Sequence, residues 1–298
     1  MRKRLPPSLS LPARGRERQS RGFVSPETQT AEKTFAANRA EGRIALAVAE
    51  VDGATRRRNV AEAGALRVRF PGGVRNELEA VLVNTAGGMT GGDRFDIEVA
   101  AGPGARLLVG TTAAEKVYRS LGPPAAVAAR IIVAAGAQLR WLPQETILFD
   151  RARLSRRIDV AMEEGGALVL VEATVLGRAA MGETVEEGEL VDRWRVRVGG
   201  RLAFAESIRL AGTIAQKLAE PAVAAGACAF ATALVVPGDE RHVEAVRARS
   251  FSGEVGISAW NGIAVARLCA RDGATLRRDL AAVLAALDTG PLPKLWVN

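Results

Sequence analysis

The chain has 298 residues, of which 48% are hydrophobic and 25% are charged, values typical of a globular protein. This composition excludes disorder of the whole chain, and no apolar run reaches the roughly 18 residues that a membrane span needs. Cys228 and Cys269 are far apart and lack a C-x-x-C partner, which favours reduced structural thiols over a disulfide or zinc framework. We therefore expect a cytoplasmic protein without membrane contact.

The first thirty residues differ in composition from the rest. Residues 1–22 contribute +6 to the formal net charge of +8, and prolines stand where a secretory signal would have its apolar core. We predict a disordered basic arm over residues 1–30 and a single β-rich domain over residues 31–298. The body has one Tyr and no aromatic residues interleaved with Lys or Arg, so we expect no specific binding of nucleic acid.

Short apolar or alternating runs follow from about residue 35, among them ALRVRF, ARLLVGT and WRVRV, with glycine-centred turns between them. No long helical period interrupts them before about residue 239. The pattern predicts a mainly β protein.

A glycine-rich loop, NTAGGMTGGDR, occupies residues 84–94. Gly87 and Gly92 have the G-x-x-x-x-G spacing of a phosphate-binding P-loop, but Asp93 and Arg94 stand where Lys and then Ser or Thr are required. A carboxylate there repels an anion, so the loop is not a phosphate cradle. Two interpretations stay open: a tight turn that the Asp93 side chain caps, or a loop that meets a cation or the backbone of a partner.

Similar strands begin at Gly104, Gly136, Gly166 and Gly200, which are 30 to 34 residues apart. Spacing of this size is typical of stacked supersecondary units and predicts a superhelical, β-solenoid-like stack, although short strands after glycine turns also resemble one another by chance.

Residues at equal offsets within these units are predicted to share a face of the sheet. Six residues after the four glycines stand Gly110, Leu142, Glu172 and Glu206. Because side chains alternate along a strand, the hypothesis is that Glu172 and Glu206 stack in adjacent coils and point into a shared polar groove. The alternative is two solvated glutamates on the outside of the sheet.

The C-terminal section, about residues 228–298, has mixed α+β character. A short helix is predicted in DERHVEAVRARS with Asp239 as its cap, and a longer one in ATLRRDLAAVLAALDTG. Between them, Asn261-Gly262 predicts the turn of a strand hairpin. We expect two C-terminal helices that pack against the β-body or belong to a small subdomain.

No catalytic constellation stands out. His242 is the only histidine, so a nucleophile-histidine site or a closed His/Cys metal site lacks ligands. Glu145 and Asp150 keep open a carboxylate-based hydrolase on a β-solenoid, but only 4% of residues are aromatic. The prediction is a protein that is not an enzyme, with no catalytic residue and no stable metal site.

Five segments in order carry a resemblance to a known family: NTAGGMTGGD, AAEKVYRS, WLPQETILFD, LGRAAMGE and PLPKLW. Together they resemble the UreD (also UreH) family of urease accessory proteins, over most of residues 35–298. The basic arm lies outside the resemblance. The motif residues to which we assign structural roles are Gly87, Gly88, Gly91, Gly92, Trp141, Pro143, Gln144, Gly177, Arg178, Gly182 and Glu183.

The resemblance implies a non-enzymatic scaffold that binds apo-urease and, through UreF, the GTPase UreG. It implies a β-superhelix with a few helices, no tightly bound cofactor, and transient nickel(II) on its way to urease. GTP hydrolysis would then belong to UreG, in agreement with the failed P-loop motif here.

The resemblance further implies a water-filled tunnel as the nickel route, with polar lining that matches Asp93, Glu172 and Glu206. Glu115 and Lys116 are added as candidates, although Glu115 stands where relatives have Ser or an equivalent. Isolated carboxylates and water hold Ni²⁺ weakly enough to release it, as a conduit requires. Asp93, Glu172 and Glu206 are therefore predicted to steer a hydrated cation.

Overall fold

The computed structural model describes residues 39–72 and 76–296, apart from the side chain of Ala180. The predicted basic arm and its boundary at residue 30 lie outside the described residues. In chain order the strands are β1 (Glu41–Val51), β2 (Ala54–Gly64), β3 (Leu66–Arg69), β4 (Leu78–Asn84), β5 (Arg94–Ala101), β6 (Arg106–Thr111), β7 (Glu115–Val117), β8 (Ala125–Val133), β9 (Gln138–Trp141), β10 (Thr146–Leu148), β11 (Arg153–Met162), β12 (Ala167–Leu176), β13 (Glu187–Val198), β14 (Arg201–Thr213), β15 (Ala229–Val236), β16 (Glu254–Trp260) and β17 (Ile263–Ala270).

These strands form two sheets that face each other. The seven-stranded sheet has the order β14-β13-β11-β8-β5-β1-β2, and the ten-stranded sheet runs β16-β17-β15-β12-β9-β6-β4-β3, with β10 and β7 attached beside β12. From β4 to β13 the chain alternates between the sheets, and the successive strands of each sheet pair in parallel. The result is a β-solenoid of about four turns, which confirms the predicted mainly β superhelix.

The glycine repeat is real for its first three units, with one correction. Gln138 pairs with Arg106 on one side and with Ala167 on the other, so Gly136 aligns with Gly165 and not with Gly166. A slip of one residue reverses the face to which a side chain points. The prediction that Leu142 and Glu172 share a face is therefore wrong.

The fourth unit belongs to the other sheet. Gly200 precedes β14, an edge strand of the seven-stranded sheet that pairs antiparallel with β13. Glu172 lies on β12 of the ten-stranded sheet. The prediction that Glu172 and Glu206 stack in adjacent coils is therefore wrong, because the sequence similarity that supported it comes from glycine turns alone.

Two apolar layers flank the ten-stranded sheet. Its inner face meets the seven-stranded sheet in an inter-sheet layer, where β12 contributes Leu168 and Leu170. Its outer face meets the C-terminal helices in a helix layer, where β12 contributes Val171 and Ala173. Strand β12 carries buried apolar residues on both faces because it is covered on both sides, and its inner face also holds Glu172 and Thr174. The outer face of the seven-stranded sheet, in contrast, exposes charged side chains such as Arg130.

Three helices accompany the strands: α1 (Ile214–Ala219), α2 (Glu240–Arg247) and α3 (Gly273–Ala286). The two predicted C-terminal helices are confirmed, and Asp239 caps α2 by accepting the backbone N–H of Arg241. Helix α1 was not predicted. Among the described residues, no helix is both long and apolar enough to cross a membrane.

The C-terminal section packs on the β-body through shared strands. β15 pairs antiparallel with β12, and β17 pairs with β15, so both extend the ten-stranded sheet. The predicted hairpin is confirmed between β16 and β17, where Asn261 and Gly262 both have positive φ angles of 51° and 76°. Positive φ at both central residues is what a two-residue turn of this hand requires.

Candidate functional site

The glycine-rich loop connects β4 to β5 and lies against the next turn of the solenoid. A Cβ atom on Gly88 would come within 2.4 Å of the Tyr118 ring, and one on Gly91 within 2.6 Å of the Pro123 carbonyl oxygen. Gly87 and Gly92 have φ angles of +77° and +91°, in the left-handed region that favours glycine. The glycines are thus explained by backbone conformation and close approach.

Asp93 closes this loop. Its carboxylate is 3% exposed and accepts the backbone N–H groups of Ala40 at 2.9 Å and Thr90 at 2.7 Å. The geometry is that of the turn cap, one of the two interpretations that the sequence left open. Asp93 fastens the loop to the start of β1.

The remaining motif segments stack beside this loop. The LGRAAMGE segment is held by a bidentate ion pair from Arg178 to Glu183 at 2.8 and 3.0 Å, which lowers the pKa of Glu183. Arg178 also lies 4.2 Å from the centre of the Phe149 ring, and that ring meets Tyr118 edge-on. Gly177 and Gly182 both have positive φ, and a Cβ atom on Gly177 would come within 2.4 Å of the Glu183 carbonyl oxygen.

The WLPQETILFD segment contacts the C-terminal PLPKLW. The side chain of Gln144 donates to the carbonyl of Leu295 at 3.1 Å. Pro143, the residue before it, lines a cavity between the two sheets. Glu145 forms an ion pair with Arg277 at 2.6 Å, and Asp150 accepts two backbone N–H groups. Both carboxylates that the hydrolase alternative would use are thus engaged in an ion pair or in backbone hydrogen bonds within the protein. These contacts give no support to a hydrolase.

A cavity of about 260 Å³ lies between the two sheets next to the motif loops. Its lining runs from an exposed rim, with Gly87 and Lys116, to a buried wall formed by Trp141, Arg156 and Glu172. This volume holds several water molecules. The cavity therefore connects the surface near the glycine loop with charged groups in the interior.

Glu115 lies between the rim and the buried wall. It is half-buried, and Asn84 donates to its carboxylate at 3.0 Å. Burial raises the pKa of Glu115 above its usual value, and the hydrogen bond from Asn84 opposes this rise. The cavity thus has one half-buried carboxylate, Glu115, and one buried carboxylate, Glu172.

Three buried charged residues, Arg156, Glu172 and Asp192, form what we call the charged triad; each is less than 10% exposed. Arg156 donates one terminal N–H to Glu172 and another to Asp192. The second oxygen of each carboxylate accepts an indole N–H, from Trp141 at 2.9 Å for Glu172 and from Trp194 at 3.1 Å for Asp192. Glu172 comes from the ten-stranded sheet, whereas Arg156 and Asp192 come from the seven-stranded sheet.

The electrostatics of the triad are dominated by burial. Burial raises the pKa of Glu172; the neighbouring Arg156 opposes the rise and Asp192 adds to it. Burial also disfavours the charged form of Arg156, but the two carboxylates outweigh it and raise the Arg156 pKa. With all three groups ionised the triad carries one net negative charge.

Arg156, Asp192 and Trp194 were missed by the sequence interpretation, although alternation contains the signal. In β11 the inward residues are Leu154, Arg156 and Ile158, so a charged residue occupies an apolar phase. In β13 Asp192 occupies the same phase as Leu190. A charged side chain on the buried face of a strand needs a partner of opposite charge. Pairing Arg156 with Asp192 would have predicted that β11 and β13 are neighbours.

Glu206 points into the inter-sheet layer but lies away from the cavity. It accepts an ion pair from Arg267 at 2.8 Å. Arg267 pairs in register with Thr232, and Thr232 pairs with Glu172, so a polar row crosses the sheet from the triad to Glu206. Of the five proposed transit residues, Glu115, Lys116 and Glu172 line one cavity, whereas Asp93 and Glu206 are not among its lining residues.

Within the described part of the chain, no three side chains of His, Cys, Asp or Glu converge as metal ligands. Cys228 and Cys269 are both free thiols.

Comparisons with known proteins identify the family of this chain. The family described as UreD urease accessory protein matches residues 40–297. The chain belongs to the UreD family. It is 57% identical over 266 residues to "Urease accessory protein UreD" of Rhodopseudomonas palustris (strain BisA53), covering 89% of this chain and 93% of that protein. It is 56% identical over 274 residues to the protein of the same name from Bradyrhizobium diazoefficiens, covering 91% and 99%.

The predicted resemblance to UreD is therefore confirmed. UreD proteins are described as accessory proteins and not as enzymes, in agreement with the prediction that this chain is not an enzyme. The match leaves out the basic arm, as expected from the motifs.

Proposed function

We propose that this chain is a cytoplasmic scaffold for urease maturation, which binds apo-urease and, through UreF, the GTPase UreG, and which conducts nickel(II) through its inter-sheet cavity. The observation that carries this proposal is the cavity itself, because it joins an exposed rim to buried carboxylates next to the stacked motif loops. Nickel is the cargo and not a resident cofactor.

The chemistry of the lining suits transit better than storage. The lining contains carboxylates in Glu115 and Glu172 and neither Cys nor His. Nickel binds thiolate and imidazole tightly, whereas separated carboxylates attract a hydrated cation without enclosing it. A cation entering at the rim meets Glu115 first and Glu172 at the buried wall.

Exposed apolar side chains beside the motif loops support the scaffold role. Leu121 is 77% exposed in a loop, and Met181 is 72% exposed at the end of a short 3-10 helix within the LGRAAMGE segment. Large apolar side chains that stay exposed near a cavity are typical of a partner surface. The name "urease accessory protein" of the relatives supports urease maturation as the context.

Nickel transfer is tested in cells that contain urease and the other accessory proteins. The double variant Glu115→Gln with Glu172→Gln is compared with the intact chain and with a matched control, Glu41→Gln with Glu98→Gln. Both control residues are exposed carboxylates of the seven-stranded sheet. We expect the cavity variant to co-purify with urease while the urease contains less nickel and the control leaves the nickel content unchanged. Full nickel loading by the cavity variant would refute the conduit.

The scaffold part is tested separately with Leu121→Glu and Met181→Glu. We expect these surface changes to reduce co-purification with urease or UreF while the isolated chain keeps its fold. Retained binding of both partners would exclude these two residues from a partner surface.

A further inference from the structure

The charged triad stands at the inner boundary of the cavity. Arg156 and Glu172 belong to the cavity lining, whereas Asp192 lies one strand further on β13. Beyond Glu172 the polar row continues through Thr232 to Arg267, and neither of these residues lines the cavity. The triad therefore lies where the cavity and the polar row meet, at Glu172.

Two carboxylates from facing sheets converge on the Arg156 guanidinium. Each carboxylate has one oxygen on Arg156 and the other on an indole N–H, so the indoles fix the orientation of Glu172 and Asp192 independently of Arg156. Without the guanidinium the same oxygens would present two negative charges to one point. Converging carboxylate oxygens are suitable ligands for a divalent cation.

One hydrogen-bond donor of the Arg156 guanidinium has no acceptor in the described part of the chain. Its Nε atom is buried and has no hydrogen-bond partner among the described residues. Arg156 itself is only 5% exposed. A buried donor without an acceptor destabilises a fold, so tight packing of the triad does not explain why a guanidinium occupies this position. Arg156 is also one of the residues that line the cavity.

We propose that Arg156 is a counter-ion gate, which occupies the position where Glu172 and Asp192 would otherwise retain a divalent cation. With Arg156 in place the carboxylates attract a cation but do not trap it. Without Arg156 they form a two-carboxylate metal site. The inference rests on the proposed function only for the identity of the cation, because the binding chemistry does not depend on urease.

The test is equilibrium dialysis of the purified full chain against Ni²⁺ at neutral pH. The variants are Arg156→Gln and, as a matched control, Arg157→Gln, since Arg157 is the next residue of β11 and is exposed on the outer face. We expect Arg156→Gln to bind one additional nickel ion at least about tenfold more tightly than the intact chain. Adding Asp192→Asn to Arg156→Gln should abolish the gain. Nickel binding by Arg156→Gln equal to that of the intact chain and of Arg157→Gln would overturn the gate.

A second variant protects the test against misfolding. Arg156→Lys keeps the positive charge but lacks the planar fork that reaches both carboxylates, so it should fold and show a smaller gain in nickel affinity. If Arg156→Gln folds only when nickel is added, its melting temperature will rise with nickel concentration, which supports the proposal. Arg156→Lys without any gain, together with an Arg156→Gln variant that nickel does not stabilise, overturns it.

Urease activation is measured with the same variants, which separates the gate from the proposed function. Nickel retention by Arg156→Gln together with impaired activation supports both. Nickel retention with normal activation supports the gate and refutes the conduit.

Discussion

Buried charged side chains find different kinds of partner in the two layers that cover the ten-stranded sheet. In the helix layer, Asp279 is buried and accepts the backbone N–H groups of Ser252 and Gly253. A second buried charge on that face, Arg140, donates to backbone carbonyls and pairs with the partly exposed Glu77. In the inter-sheet layer the buried charges of Arg156, Glu172 and Asp192 face one another. The two buried side-chain atoms without a partner in the described residues, on Arg156 and Glu206, belong to residues that point into this layer.

This difference separates buried charges that backbone groups satisfy from buried charges that depend on one another. Apolar burial in the helix layer is directly favourable, whereas a buried ion pair must first overcome the desolvation of its charges. A well-packed apolar cluster in place of the triad would stabilise the solenoid equally well or better. The proposed transfer of nickel would give these charges a role that stability does not.

The largest expected effect comes from breaking the triad on one side. Arg156→Leu leaves two buried carboxylates without a counter-ion and should lower the free energy of unfolding by about 3–5 kcal/mol. Arg157→Leu on the exposed face of the same strand should change it by less than about 0.5 kcal/mol. Urea denaturation of both variants measures the difference. Equal losses would mean that the triad is not the electrostatic unit described above.

A substitution in the helix layer should destabilise the fold through lost packing alone. Leu280 in α3 is 1% exposed, and Leu280→Ala should lower the free energy of unfolding by about 2–4 kcal/mol. Arg278→Ala, at an exposed position of the same helix, serves as the control. The nickel content of urease matured with the remaining folded Leu280→Ala protein should be normal. If urease gained less nickel per folded Leu280→Ala molecule than per intact molecule, the two layers would not differ in function.

Asp93 provides an intermediate test, since it caps the glycine loop and is not among the lining residues of the cavity. Asp93→Ala removes the acceptor of two buried N–H groups and should cost about 1–3 kcal/mol, while Asp93→Asn retains an acceptor and should cost less. Activation should follow stability in both variants. A loss of activation in a stable Asp93→Asn protein would instead assign Asp93 to nickel transit.

The smallest effect concerns pH and the cap of α2. The hydrogen bond from Arg241 contributes most to lowering the pKa of Asp239, to about 2, with a further contribution from His242. Because the folded pKa lies below the unfolded value of 3.8, the cap stabilises the protein above that value and is lost as pH falls towards 2. The difference in melting temperature between the intact chain and Asp239→Ala should therefore disappear over this range. A constant difference would assign the cap a role independent of charge.

Local patterns predicted much of the fold. The period-two runs, the Asn261-Gly262 turn and the apolar spacing of α3 depend on near neighbours, and each element is present. Register depends on contacts between distant segments, so a shift of one residue at Gly165 went unnoticed and assigned Glu172 and Leu142 to one face.

The candidate site could be predicted only in part, for the same reason. Glu172 was identified from the glycine repeat and from the family resemblance, but its partners Arg156 and Asp192 lie 16 and 20 residues away along the chain, on the facing sheet. Asp93 illustrates the opposite case, because a side chain that caps its own loop can be interpreted from local sequence. A charged residue at a strand position whose same-face neighbours are apolar indicates a buried partner on a distant segment.

The central claim is that the charges of the triad serve nickel transfer and not stability. The most direct test is the neutral triple variant Arg156→Met, Glu172→Gln and Asp192→Asn, which keeps acceptors for both indole N–H groups. Its free energy of unfolding should lie within about 1 kcal/mol of that of the intact chain. The measurement is the nickel content of urease co-purified from cells that contain this variant. We expect assembled but nickel-poor urease, whereas urease with its full nickel content would contradict the account.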